Sequence, residues 1–244
     1  MRVVAGALTL CAILLVQSRG TFPKLAPSWR SVAALGAYML GFSFAYLSLS
    51  AGTGALILFG CVQLTMFIMS LRSGESFSVA SWGGLAIAFG GLIYLVSPGL
   101  SAPDPIGAVL MGVAGVAWGF YSLLGRGAKD PLAETAANFV FLAPFVIVVS
   151  ALAFVQMYLS ETGVLLAMAS GAIASGCGYV IWYAALRGLS GTRAAVVQLA
   201  APVIAAVMGV WFLGEHVTLR LVVASAATLG GVAVVLAQRA RKPA

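Results

Sequence analysis

Nine uncharged, apolar stretches divide this chain, and all 13 basic and 6 acidic residues fall between them. They are 3–17, 32–50, 52–71, 79–97, 106–125, 135–156, 162–186, 194–213 and 221–238. A helix crossing about 30 Å of hydrocarbon at 1.5 Å per residue needs about 20 apolar residues. A charge at mid-depth costs about 2.5–3.5 kcal/mol even on the gentler insertion scale. Stretches of this length, each cleared of charge, therefore read as nine transmembrane helices. Composition agrees: 8% of the residues are charged and the mean hydropathy is +1.08, where a soluble domain carries about 25% charge. The expected fold class is an all-α polytopic membrane protein held in the lipid bilayer.

The first stretch, 3–17, is short. Preceded by Arg2 and followed by Val16-Gln17-Ser18, it also has the form of a signal peptide with its cleavage site. The basic residues decide between the two readings. With nine spans and the N-terminus outside, the cytoplasmic segments hold Arg19, Lys24, Arg30, Arg72, Arg126, Lys129, Arg187, Arg193, Arg239, Arg241 and Lys242. The outer side then holds only Arg2 and Arg220, a strong positive-inside bias. Cleavage after residue 18 would invert the whole distribution, so 3–17 is read as a span. The net charge of +7 is accounted for by these loops. No nucleic-acid-binding motif is present, so no nucleic-acid partner is expected. Cys11, Cys61 and Cys177 lie far apart in apolar segments without metal-ligand spacing. They are expected to be packing residues, and neither a metal nor a cofactor is implied.

Residues 45–96 align without gaps onto 185–236 at a constant offset of 140. Glycine and alanine identities carry little weight in such a chain. The repeated Gly-Glu does: Gly74-Glu75 matches Gly214-Glu215, and three residues after each glutamate Ser78 and Thr218 open the next helix as candidate N-caps. The topology puts Glu75 inside and Glu215 outside, so the repeat is inverted, the arrangement that supports alternating access. The first half is 1–97, the second is 105–238, and 239–244 is a basic cytoplasmic tail. The offset pairs spans two to four with seven to nine, and counting back pairs the first with the sixth. The fifth, 106–125, has no mate, and the symmetry implies a helix before Met1.

These residues resemble the EamA-like family of the drug/metabolite transporter superfamily. The resemblance is carried by the repeated Leu-Ser…Gly-Glu stretches ending in Gly-Gly (49–91 and 189–231), by Ala114-Gly115-Val116-Ala117-Trp118-Gly119-Phe120-Tyr121, and by Ala201-Pro202-Val203. It implies a ten-helix fold of two five-helix halves, of which this chain would lack the first helix. It also implies export of small metabolites, amino acid-like or drug-like, across the bacterial inner membrane. The repeat differs at Cys61-Val62, which stands where the second half has Ala201-Pro202.

Without embedded charge, recognition falls to amides, aromatic faces and helix ends. Gln63 and Gln198 lie mid-span, where an unpaired amide costs several kcal/mol, so both are expected to face the bundle interior, lining a cavity or bonding across helices. Asn138, nearer a helix end, is a weaker candidate. Trp118 lies mid-span with Tyr121 a turn later, whereas Tyr179, Trp182 and Tyr183 suit a membrane–water boundary. Tyr38, Phe42 and Tyr46 share one helix face, as a lining or as a packing stripe. Pro202 frees the Gln198 carbonyl and suits a gating kink. Gln63, Trp118 and Gln198 together are expected to line one polar cavity. Glu75 and Glu215 are expected to cap helices or pair with Arg72 or Arg220, and His216 to face solvent.

Intramembrane catalysis needs a serine and a histidine within hydrogen-bond reach, and the single histidine, His216, lies in a loop. An enzyme is therefore not expected. The alternative to an exporter is an N-terminally truncated, non-transporting or regulatory membrane protein.

Overall fold

A computed structural model describes residues 1–19, 25–74, 77–99, 102–125, 128, 130–153, 159–186, 198 and 200–240. All regular structure among them is helical. The elements are α1 (Arg2–Gln17), α2 (Trp29–Ala45), α3 (Ala51–Arg72), α4 (Val79–Val96), α5 (Pro105–Gly125) and α6 (Pro131–Leu152). The seventh span is α7 (Glu161–Ala169), a π-helical run Ser170–Cys177, and α8 (Gly178–Leu186). The last two are α9 (Ala200–Leu213) and α10 (Leu219–Ala240). Six of these rods are long and apolar enough to cross a membrane, and Arg2–Gln17 and Ala200–Leu213 are shorter apolar helices. Every expected span coincides with helix among the described residues. The chain is a multi-pass, all-helical membrane protein.

Two boundaries differ from the sequence reading. The second span ends at Ala45 rather than 50, because Tyr46–Ser48 form a turn and Ser50 caps α3, accepting from the Thr53 N–H. The sixth starts at Pro131 rather than 135: Asp130 accepts from the Leu132 and Ala133 N–H groups, and Pro131 needs no N–H at the first helical position. Glu134 thereby falls in the first turn, where the helix dipole favours a negative charge.

The chain forms two compact units. One comprises Met1–Gly36 and Leu124–Gly188, the other Ala37–Leu123 and Leu189–Ala244. Each draws helices from both sequence halves. In the second unit, repeat mates pack on one another. Gly84 of α4 lies against Gly231 of α10, so close that a Cβ on Gly84 would come within 2.6 Å of the Gly231 carbonyl. Gly91 lies against Thr228, and Thr228 Oγ1 donates to the carbonyl of Ala88, its own mate in the repeat, at 3.4 Å. The Gly84–Gly231 and Gly91–Thr228 contacts make the pair antiparallel, as inverted mates must be. α3 and α9 are likewise antiparallel, with Gly52 on Ala206 and Gly209 beside Ala51.

The Gly-Glu motif now has a local cause. Gly74 and Gly214 both hold positive φ, +83° and +65°, where a side chain would be strained. Each ends a helix, α3 or α9, and turns the chain toward the next. Ser78 and Thr218 are the expected N-caps, accepting from Ser81 N and Leu221 N at 3.2 and 3.1 Å.

Candidate functional site

Six of the seven candidate residues, all but Asn138, belong to the second unit. They fall into two groups there, on different sides of α3. α5 reaches α3 through Gly115, which lies against Leu58 and Cys61, and Gly119, which lies against Val62 and Thr65. Gln63 is on another face. It shares the side of α3 that carries Gly52, about three turns earlier, and Gly52 faces Ala206 of α9.

The first group is aromatic. Tyr38 of α2 meets Trp118 of α5 with ring centroids 4.7 Å apart, and Trp118 stacks on Tyr121 at 5.6 Å. Tyr38 also contacts Phe42 at 5.6 Å, and Phe42 contacts Tyr46 at 4.7 Å. The four-residue spacing keeps Tyr38 and Phe42 on one face of α2, with Tyr46 just past its end, and that face is turned to α5, where Gly41 approaches Leu110 and Ala114. The stripe ends as a packing contact: the Tyr46 ring covers Gly54 and its hydroxyl donates to the Ala51 carbonyl at 3.3 Å. Tyr38 and Tyr121 are buried, whereas Trp118 is half-buried and presents part of its indole. A run of offset rings with one accessible indole can hold an apolar or aromatic body and offer a hydrogen-bond donor.

The second group is the amide pair. Gln63 is 8% exposed, and its Nε2 has no hydrogen-bond partner among the described residues. Burying an amide donor in that state costs about 1–3 kcal/mol. Gln198 is helical and half-buried. The register set by Gly52 on Ala206 and by Ala51 on Gly209, continued along both rods, brings Gln198 level with Gln63 to within about one turn. Pro202, buried in the first turn of α9, comes one turn after Gln198.

Asn138 belongs to the first unit, where it lies in α6 at 1% exposure next to Phe139, whose ring meets Tyr179 edge-on at 5.7 Å. The described contacts thus join Trp118 to Tyr38 and Tyr121, and the α3–α9 register gives Gln198 about the level of Gln63. They do not join the amides to the indole.

Two charges near helix ends act as caps. Glu215 Oε1 accepts from the Ala51 N–H at 2.7 Å, so a carboxylate sits on the positive end of α3, with Gly209 leaving it room. Arg220 closes the other end of α4: its guanidinium donates to the carbonyls of Leu95, Ser97 and Pro98 and lies 5.5 Å from the Tyr94 ring centre. The Leu95 carbonyl is one of the orphan acceptors at the C-terminus of α4, and those of Ser97 and Pro98 follow it in the cap. Glu75 lies outside the described residues. The sequence reading passed over two features, Pro144 inside α6 and the π-helical run in the seventh span. The first was legible as a proline in an apolar stretch. The second left a trace in Gly171, Gly176 and Gly178.

Residues 105–237 match the EamA-like transporter family. The chain is 45% identical over 239 residues to an uncharacterized protein of Pseudomonas aeruginosa, covering 98% of this chain and 83% of the relative. It is 29% identical over 215 residues to an uncharacterized transporter of Archaeoglobus fulgidus, covering 83% and 73% respectively. A crystal structure 18% identical in sequence superposes with a TM-score of 0.63 over 99% of this chain and 87% of its own, a likeness of fold. Inverted helix pairs, paired Gly-Glu turns and this match over the second half together make the chain a member of the EamA-like transporter family.

Proposed function

We propose that this chain is a secondary transporter of the bacterial inner membrane that exports a small metabolite, amino acid-like or drug-like, by alternating access. The observation that carries the reading is Gln63: an amide buried in a membrane helix, its donor without a protein partner among the described residues, level with a second amide on the repeat mate. Polar side chains kept at that depth despite their cost mark substrate pathways. In this reading Gln63 and Gln198 receive polar groups of the substrate on one side of α3. Tyr38, Trp118 and Tyr121 offer a separate apolar stop on the other, and Pro202 lets the eighth span bend beside the amides. Rocking of the inverted repeats then exposes the substrate to each side in turn.

A resistance screen of an overexpressing strain supplies the substrate. Efflux by Gln63→Ala, Gln198→Ala and Trp118→Ala, normalised to protein in the membrane, then tests the roles. Each is expected to slow efflux about tenfold or more while the protein still inserts, the loss of roughly one good hydrogen bond or stacking contact. Full efflux by all three would place recognition elsewhere and make Asn138 the next residue to test.

A further inference from the structure

Within the second unit, the N-terminus of α3 is capped twice, once from its own chain segment and once from its repeat mate. Ser50 Oγ accepts from the Thr53 N–H at 3.4 Å, a local cap that α3 makes for itself. Glu215 supplies the second cap from the turn after α9, 164 residues away, with Oε1 2.7 Å from the Ala51 nitrogen. The carboxylate is held from behind. Gly214 turns the chain at φ +65°, and the Glu215 N–H donates to the Gly209 carbonyl at 3.2 Å. Oε2 lies over Gly209, in the space that a Cβ there would fill.

Among the described residues, this is the only hydrogen bond that joins α3 to α9 and its turn. The rest of the outer seam is made of small residues in close contact, Gly52 on Ala206 and Gly209 beside Ala51. Dispersion holds such a seam, and dispersion is spread over many weak contacts with no single bond to break. The side of α3 that carries Gly52 carries Gln63 eleven residues on, about 16 Å deeper at 1.5 Å per residue. Gln63 is 8% exposed, and the seam lies between it and the outer end of α3. Glu215 is half-buried, beside the exposed His216. Both partners of the bond stand at a helix end, where water can replace either one. Parting them therefore strands no charge and no donor inside the protein.

We propose that Glu215 is an outer latch: its bond to Ala51 holds the α3–α9 seam shut on the outer side, and its release opens a path to Gln63. This deepens, and rests on, the transport reading. Inverted repeats that rock against each other must part at one end of their shared seam in each cycle. A cap made by the helix itself, like that of Ser50, is indifferent to that parting. A cap supplied by the mate is broken by it. One charge-assisted bond to a helix N-terminus biases such an equilibrium severalfold, enough to favour closure and little enough to be broken in every turnover.

The test reads opening with no substrate present. In a full chain carrying Cys11→Ser, Cys61→Ser and Cys177→Ser, Gln63→Cys is labelled from outside intact cells with a membrane-impermeant methanethiosulfonate. His216→Cys, at an exposed position, gives the rate of an open thiol. Gln63→Cys is expected to label far more slowly than that. Adding Glu215→Gln should speed it about threefold, and Glu215→Ala, which removes the acceptor as well as the charge, about tenfold. Adding Ser50→Ala takes the local cap from the same helix end and should leave the rate unchanged. An unchanged rate with Glu215→Ala, an equal rise with Ser50→Ala, or a Gln63→Cys that labels as fast as His216→Cys overturns the proposal. Should Glu215→Ala not insert, an unchanged rate with Glu215→Gln overturns it. A disulfide then locks the seam. The Cβ of Ala51 lies 3.2 Å from the place of a Cβ on Gly209, near the separation a disulfide requires. Once oxidised, Ala51→Cys/Gly209→Cys protein is expected to lose counterflow of the compound from the resistance screen and to regain it on reduction. Full counterflow by the oxidised protein, or a pair that does not oxidise, overturns the latch. Labelling as expected without counterflow by the wild type removes transport and leaves the latch.

Discussion

The two units of this protein use glycine to opposite ends. In the second, Gly84 and Gly231 let two regular, antiparallel rods touch backbone to backbone. In the first, Gly171 and Gly176 lie in a π-helical run against the helix that carries Arg2, and that helix also packs on α6, with Pro144 in its interior. Lipid supplies no hydrophobic drive between helices, so close packing and hydrogen bonds must hold them. The second unit is built for that. The first spends regular hydrogen bonding where a guanidinium sits. The contrast teaches that substitutions on the glycine seams of the second unit should act on stability, and those at the irregular level of the first should act on transport.

The sharpest way to break the comparison is at α4. Gly84→Leu should lower stability by about 2–3 kcal/mol, because its side chain must displace the α10 backbone. Gly83→Leu on the same helix has nothing within 4 Å to strike and should leave the unfolding midpoint in detergent unchanged. Equal losses from both would deny the close α4–α10 seam. Arg220→Ala comes next. It frees the carbonyls of Leu95, Ser97 and Pro98 at and just past the end of α4 and removes the contact with Tyr94, with an expected loss of about 1–2 kcal/mol by the same measurement. Glu215→Gln removes the charge from the α3 N-terminus while keeping an acceptor, and should cost about 0.5–1 kcal/mol. The smallest stability effect is expected in the first unit. Pro144→Ala restores a helical hydrogen bond and should hold or slightly raise the midpoint, yet slow efflux by straightening α6. A Pro144→Ala protein with undiminished efflux would make the kink a passive feature and blur the contrast.

Much of this architecture is legible in the chain, because lipid makes the rules strict. Charge exclusion alone marks the spans, and Gly74-Glu75 with Gly214-Glu215 marks the turns that the φ angles require. The capping serine and threonine follow from spacing. The candidate site was legible only in part. Residue type and depth single out Gln63 and Trp118, but the face of α3 that each looks at depends on how α5 and α9 pack, which periodicity in an all-apolar helix does not encode. The π-helical run is missed because its trace, Gly171, Gly176 and Gly178, looks like any other glycine of an apolar span.

The central claim, that this chain moves a small molecule across a membrane, is tested most directly by counterflow with the purified protein. Proteoliposomes preloaded with unlabelled substrate from the resistance screen are diluted into the radiolabelled compound. Transient, saturable accumulation above protein-free liposomes is expected, reduced about tenfold by Trp118→Ala. Wild-type uptake indistinguishable from protein-free liposomes would contradict it.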